Sequence, residues 1–233
     1  MGQAIIRTAA SHPDFNIRSV WVRNERQAGA VLGESDTVLT TEDLDQVVEM
    51  NDVIIDFSLP EGTERVLEAV VAQGKPVVCG VSGLRDTQLD ALDRASRRIP
   101  VVYDRNMSLG IAVLERSVRE AAASLGADFD VVISEIHHAH KKDAPSGTAL
   151  KLGEAVAEAR GEQDTAAIRY ESERRGEVPG DHIVVMSSKT EQLTFAHSVT
   201  TRQVFADGAL RAARWLLGRP PGRYRMQDVL FGK

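Results

Sequence analysis

The sequence predicts a doubly wound parallel α/β sheet, with its first strand absent from the chain, followed by a second α+β domain with an open, mostly antiparallel sheet. Three observations lead there. Short apolar runs alternate with helix-patterned segments as far as residue 125, whereas from residue 129 alternating runs follow one another with one helix among them. The third is the opening of the chain, where Met1-Gly2 leads straight into a helix.

The elements follow in order. Ile5, Ile6, Ala9 and Ala10 recur at helical spacing, and "IRSVWVR" (17–23) alternates as a strand does. "TTEDLDQVVEM" (40–50) offers a threonine cap and first-turn acids to a helix. "DVIIDFS" (52–58) is a continuous apolar run that suits a strand covered on both faces; the helix after it has Pro60 near its start and Gly74 at its end. The pattern repeats through "KPVVCG" (75–80), "DTQLDALDRASRR" (86–98), "PVVYD" (100–104) and a helix from Ser108 to Leu125, implying parallel βαβ units. Next come a long strand "FDVVISEIHH" (129–138), a helix from Ser146 to about Arg160, and strands in "IRYES" (168–172), "DHIVVMSS" (181–188) and "EQLTFAHSVT" (191–200). A last helix, 202–218, packs through Val204, Phe205, Leu210, Ala213 and Leu217, and "GRYRMQDVL" closes the chain. The boundaries expected are 1–107 with about 203–233 for the first domain and 108–202 for the second.

Composition narrows the function. No apolar run nears the roughly 20 residues that span a bilayer, and the first residues lack a signal or transit composition, so a cytoplasmic protein without membrane contact is expected. A net charge of −6, with arginine doublets only at Arg97-Arg98 and Arg174-Arg175, argues against a nucleic-acid surface. The single cysteine, Cys79, follows Val77 and Val78 and reads as a buried strand thiol.

A dinucleotide in such a sheet usually lies where a glycine-rich first turn meets a helix N-terminus, and the sequence has no G-x-G-x-x-G. Losing a central strand would leave buried backbone groups unpaired at about 1–3 kcal/mol each. That favours a start placed at an internal methionine over a protein that truly lacks the strand.

The densest chemistry is "EIHHAHKKDAPSGTAL" (135–150). On extended backbone His138 and His140 share one face and His137 takes the other, which splits the trio; with no cysteine nearby and lysines adjacent, no metal site is expected. A solvated loop with incidental histidines is the bland alternative. If the backbone stays extended, His137 and Lys141 fall on one side, where one gives a proton and the other holds or neutralises charge. In "DAPSGT", Ser146 is a candidate N-cap, Gly147 exposes first-turn N–H groups and the Thr148 hydroxyl lies beside them, a combination suited to an anion. With Lys141 and His138, a small carboxylate fits better than a phosphate chain, which physics alone leaves open.

This stretch closely resembles the signature of the 4-hydroxy-tetrahydrodipicolinate reductase family, also called dihydrodipicolinate reductase, of the diaminopimelate route to lysine. So do "IDFSLPEGT" (55–63), "NMSLG" (106–110), "RRGEVPGDH" (174–182), "FADGALRAARWL" (205–216) and the "YRMQDVL" tail. The resemblance implies a Rossmann-like domain that binds NADPH or NADH, joined to a domain for substrate binding and oligomerisation, commonly in a homotetramer. It implies reduction of a small cyclic dicarboxylate, with His137 as general acid and Lys141 as second proton donor. His138, Ser146, Gly147 and Thr148 would hold substrate carboxylates, with Arg174 a further candidate whose alternative is a surface ion pair.

The departures from the family lie on the cofactor side, where the implied residues are Met1, Gly2, Arg23, Gly80, Val81, Ser82, Asp104, Arg105, Asn106 and Met107. The family's Gly-Thr-Thr-Gly loop reads "GVSG" (80–83), so Val81 lacks a hydroxyl, and Asp104 and Arg105 replace small residues before "NMS". Val22 stands where an acid often binds ribose; Arg23 and Arg26 instead favour a 2′-phosphate and therefore NADPH. The competing expectation is a homologue with impaired nucleotide binding that serves as a dicarboxylate-binding or regulatory protein.

Overall fold

The structure is a computed structural model that describes residues 1–23 and 38–232; Arg26 lies outside the described residues. In chain order the elements are α1 (Gly2–Ala10), β1 (Ser19–Trp21), β2 (Leu39–Thr41), α2 (Leu44–Met50), β3 (Ile54–Asp56), α3 (Pro60–Gln73), β4 (Val77–Cys79), α4 (Asp86–Ser96) and β5 (Pro100–Tyr103). They continue with α5 (Leu109–Leu125), a 3-10 turn (Gly126–Asp128), β6 (Asp130–His137), α6 (Gly147–Arg160), β7 (Ile168–Arg174), β8 (Asp181–Ser187) and β9 (Gln192–His197). The last are α7 (Gln203–Leu216), β10 (Gly222–Tyr224) and α8 (Met226–Phe231). The chain divides into two compact units, one of residues Met1–Met107 with Gln203–Lys233 and one of Ser108–Arg202.

The first unit is Rossmann-like. Its four-stranded sheet has the order β10-β5-β4-β3 and is parallel throughout, while β1 and β2 form a separate parallel pair. All three residues of β4 are fully buried, as a strand with both faces covered requires. The core joins Val77, Val101 and Ile99 to Val48 of α2, Val66 and Val70 of α3 and Leu92 of α4. Proline at its start and left-handed Gly74 at its end delimit α3, as the sequence indicated.

Several expectations here need correction. The cap of α2 is Asp43, whose carboxylate accepts from the Gln46 N–H at 3.1 Å, while Thr41 accepts from the Asp43 N–H at 3.0 Å. Residues 39–41 form a strand that a run of one leucine and two threonines does not signal. The closing segment is more than a tail, since β10 adds an edge strand beside β5. The buried side of α7 consists of small residues (Ala206, Gly208, Ala209, Ala212, Ala213) with Leu210 and Leu216, and Leu217 is half exposed. Gly208 explains that choice: a Cβ there would lie 1.7 Å from the Met107 carbonyl oxygen, so the helix approaches the chain more closely than any side chain permits.

The second unit carries a four-stranded sheet of order β7-β6-β8-β9, with β6 parallel to β7 and the other pairings antiparallel. Ile111 and Val118 of α5, and Leu152 and Val156 of α6, close over Val131, Ile133, Val184 and Met186. Serines cap both helices: Ser108 accepts from the Ile111 N–H at 3.3 Å and Ser146 from the Ala149 N–H at 3.2 Å. On β6 the residues turned inward are Val131, Ile133, Glu135 and His137, so the strand ends on the buried side with two ionisable groups where it began with aliphatic ones.

Candidate active site

The end of β6 organises the chemistry. Glu135 and His137 share a face because two residues separate them on a strand. The Glu135 carboxylate is inaccessible to solvent and accepts from a set of donors that includes His137 Nδ1, Arg174 Nη1 at 3.0 Å, Arg174 Nη2 at 2.9 Å, the Ser146 N–H at 3.3 Å and the Ser172 side chain. Burial works to raise the Glu135 pKa, but the bonds from Arg174, His137 and Ser172 together hold it below the ordinary carboxylate value. It is therefore an anion at neutral pH. An ionised carboxylate only accepts, so the neutral His137 ring carries its proton on Nδ1 and presents Nε2 as its second nitrogen. Beside Nε2 lies Gly180 with φ +151°, where a Cβ would stand 2.8 Å from that nitrogen.

His182, opposite Glu135 on β8, packs edge-on against His137 with ring centroids 5.2 Å apart. It is 2% exposed, and burial, with the neighbouring His137 charge second, pushes its pKa down to about 3, so it stays neutral through physiological pH. The His137 pKa is also lowered. Burial leads, the Glu135 hydrogen bond and charge oppose it, and the charges of Lys141 and Arg174 add to the lowering.

Beyond His137 the backbone departs from the extended form on which the parity argument depended. The strand stops at His137, and a turn closed by the Lys141 N–H to the His138 carbonyl (3.1 Å) follows. Lys141 is thus brought back by a turn; its charge acts on His137, and its Nζ lies 2.8 Å from both carboxylate oxygens of Asp143. Asp143 also accepts from the Gly147 N–H. Burial would raise its pKa, but Lys141 and backbone N–H groups including that of Gly147 hold it below the ordinary value. A carboxylate thus rests between the Lys141 ammonium and the first turn of α6, as expected of a helix N-terminus. Thr148 is half-buried in the same turn. His138 is half-buried with its ring 6.2 Å from that of His140, which is exposed and lies 3.7 Å from Glu177. Among the described residues no group of three or more His, Cys, Asp or Glu side chains is placed to hold a metal ion.

Two residues assigned to substrate from the sequence have their polar atoms engaged by the protein. Ser146 is 1% exposed; its N–H goes to Glu135 and its hydroxyl to the Ala149 N–H and to His182 Nε2 at 3.2 Å. Arg174 is not on a surface ion pair. Nε donates to the Lys141 carbonyl, Nη1 to Glu135 and the Glu173 carbonyl, and Nη2 to Glu135 and the Asp143 carbonyl, which uses all five N–H groups of the guanidinium. Glu135 is the residue that sequence reasoning missed. Its signal was a charge at an inward position of an otherwise apolar strand face.

In the first unit, the loops after β3, β4 and β5 leave the same edge of a parallel sheet, the carboxyl edge where nucleotides bind. Gly80 is imposed by Phe57, whose ring would lie 2.3 Å from an added Cβ. Val81 is turned inward at 3% exposure, while Ser82 and left-handed Gly83 are exposed, with no atom within 4 Å of a Cβ on Gly83. Asp104 and Arg105 part company. Asp104 is buried and accepts from the Met226 N–H at 3.3 Å and the Asn106 N–H at 3.4 Å, holding the start of α8; Arg105 is exposed. Asn106 is half-buried and Met107 buried. Met1 caps α1 through its carbonyl, which receives the Ala4 and Ile5 N–H groups, and nothing lies within 4 Å of a Cβ on Gly2. Arg23 is exposed after buried Val22. The side-chain-poor turn at Ser82-Gly83 and the exposed cations Arg105 and Arg23 fit a dinucleotide phosphate chain.

Comparison with known proteins gives the family. The family model described as "Dihydrodipicolinate reductase, N-terminus" matches residues 1–107, and that described as "Dihydrodipicolinate reductase, C-terminus" matches residues 110–230. The 4-hydroxy-tetrahydrodipicolinate reductase of Stenotrophomonas maltophilia is 42% identical over 230 residues, covering 99% of this chain and 93% of the relative. That of Halorhodospira halophila is 37% identical over 252 residues, covering 99% and 94%. Among solved structures, dipicolinate-bound dihydrodipicolinate reductase from Paenisporosarcina sp. TG-14 superposes with a TM-score of 0.79 at 21% identity, over 96% of this chain and 92% of that one.

Proposed function

The chain belongs to the dihydrodipicolinate reductase family, and we propose that it reduces 4-hydroxy-tetrahydrodipicolinate to tetrahydrodipicolinate with NAD(P)H, in the diaminopimelate route to lysine. One observation carries the reading to specific residues: a buried carboxylate orients His137 beside a loop where Lys141 and the start of α6 already hold a carboxylate.

Bound to the first unit, reduced nicotinamide supplies the hydride. The protein's own residues do the rest. After loss of water from the substrate, hydride arrival at a ring carbon leaves charge delocalised toward the ring nitrogen and the adjacent carbon. His137 Nε2 delivers the proton that discharges it, and Lys141 stabilises the developing charge and acts as second donor. Gly147 and Thr148 of the first turn of α6, with His138, hold substrate carboxylates. Ser146 and Arg174 build that surface from behind, since their donors go to the buried Glu135 carboxylate and to backbone carbonyls.

On the nucleotide side we assign Met1, Gly2, Arg23, Gly80, Ser82, Arg105 and Asn106 to the cofactor's surroundings, with Val81, Asp104 and Met107 supporting the loops from within. Arg23 favours the 2′-phosphate of NADPH. Titration followed by nicotinamide fluorescence should show binding of both cofactors and tighter binding of NADPH, and substrate should oxidise the bound form. Absence of binding of either at millimolar concentration overturns the reading.

We propose a homotetramer, supported by the outer face of the second unit's sheet, where Val132, Ile136, Ile183 and Val185 form a half-buried apolar strip. Sedimentation equilibrium should give about four times the chain mass of 25.4 kDa; a monomer mass removes this part of the proposal. No helix among the described residues is long and apolar enough to cross a membrane. The single buried thiol and nicotinamide chemistry suit the cytoplasm, where we place the enzyme.

A further inference from the structure

We infer that Glu135, clamped by Arg174, is the positioning residue of His137: it holds the neutral ring with its proton on Nδ1 and reserves Nε2 as the atom that gives the proton and regains it. The inference rests on the assignment of His137 as general acid above.

Three features support it. The bond from His137 Nδ1 joins groups two residues apart on one strand, so strand geometry itself sets the approach. Arg174 then fixes the carboxylate through both oxygens with a parallel pair of N–H bonds, the geometry that most strictly orients a carboxyl group. The guanidinium's remaining N–H groups go to the carbonyls of Lys141, Glu173 and Asp143. Arg174 therefore sets the imidazole and the start of the Lys141 loop from one plane. The Ser146 N–H on Glu135 Oε1 ties the cap of α6 to the same carboxylate. One buried anion thus indexes the proton donor, the ammonium loop and the carboxylate-binding helix against each other.

The second ring nitrogen gains its role by this fixation. A histidine's reacting nitrogen is chosen by the hydrogen bond the other one makes. With Nδ1 committed, Nε2 faces Gly180, where a methyl group would lie 2.8 Å away, so the glycine leaves that nitrogen approachable. The groups facing the ring are Glu135 on its own strand, Arg174 from β7, His182 from β8 and Lys141 from the loop. His182 stays neutral, and Lys141 and Arg174 both disfavour the imidazolium. Glu135 is the one anion among them that favours it.

The test is Glu135→Gln, read as a pH profile. Removing this favourable charge lowers the proton affinity of His137. The alkaline limb of kcat/KM should therefore move to lower pH, and kcat should fall at least about tenfold at pH 8, less at pH 6, with KM changed little. Glu135→Asp, which keeps the charge on a shorter arm, should recover part of kcat and return the limb toward its original position. A profile that does not move, or a change confined to KM, overturns the inference. Ring 15N spectra of the unsubstituted protein, with His137 assigned by its loss in His137→Ala, give a reading independent of whether Glu135→Gln folds. At alkaline pH the Nδ1–H tautomer supports the inference and the Nε2–H tautomer overturns it. Near-normal turnover of His137→Ala would instead sink the acid assignment beneath it. An inactive His137→Ala alongside an unmoved Glu135→Gln profile sinks this inference alone.

Discussion

Replacing His137 by alanine is expected to lower turnover by roughly 10² to 10⁴, the usual worth of a positioned acid, while leaving NAD(P)H affinity nearly unchanged. The size follows from what the ring is given: an ionised partner on Nδ1, a neutral neighbour in His182 and a glycine beside Nε2. The pH dependence has a definite sign. Burial, with help from Lys141 and Arg174, keeps the pKa of His137 below the ordinary 6.5, so the imidazolium form is lost as pH rises through that lowered value. In the free enzyme kcat/KM should accordingly decline with rising pH from below 6.5. A bound dicarboxylate brings negative charge that favours the imidazolium, so the corresponding limb in kcat belongs at higher pH than in kcat/KM. His137→Ala should abolish this dependence. Turnover close to that of the unsubstituted enzyme, or the same limb persisting in the variant, would contradict the assignment.

Lys141→Ala is the second large effect, and it should appear in both constants. The ammonium is bonded to both oxygens of Asp143 while the Gly147 N–H reaches the same carboxylate, so this pair of donors is already arranged around the kind of anion the substrate carries. Removing one preorganised donor from developing charge costs roughly 10² to 10³ in kcat, and a rise in KM should accompany it because ground-state carboxylate binding is lost as well. Lys141→Arg separates the roles. It keeps the positive charge but cannot give up a proton near neutral pH, so KM should recover more than kcat. If Lys141→Ala alters neither constant, the ammonium has no part in the reaction.

Local signals made much of this legible in the sequence. Ser108 and Ser146 mark helix starts, Pro60 and Gly74 bracket a helix, and the continuous run around Val77 to Cys79 marks a strand covered on both sides. Elements that depend on partners distant in sequence were harder to see. Residues 39–41 and 222–224 are three-residue strands without an apolar pattern, and each exists because another strand lies beside it. On α7 Leu210 and Ala213 are buried as expected and Leu217 is exposed; the rest of the buried side was harder to see because large apolar residues attract notice, whereas close approach selects alanine and glycine. At the site, the chain past His137 turns instead of running on, so parity alone could not place Lys141. Arg174 has the same difficulty in another form. Whether a guanidinium meets substrate, solvent or a buried carboxylate depends on a strand pairing 39 residues away from Glu135, which no spacing encodes.

The interrupted course of the first unit affects how the protein comes to be folded in the cell. Residues 108–202 leave the ribosome before α7, β10 and α8 have been synthesised, and domains generally fold as units during synthesis. The half bearing His137 and Lys141 can bury its core while the nucleotide-binding half still waits for its edge strand and for the helix whose Gly208 seats against Met107. The second unit can thus form its core first, and the first unit is completed last.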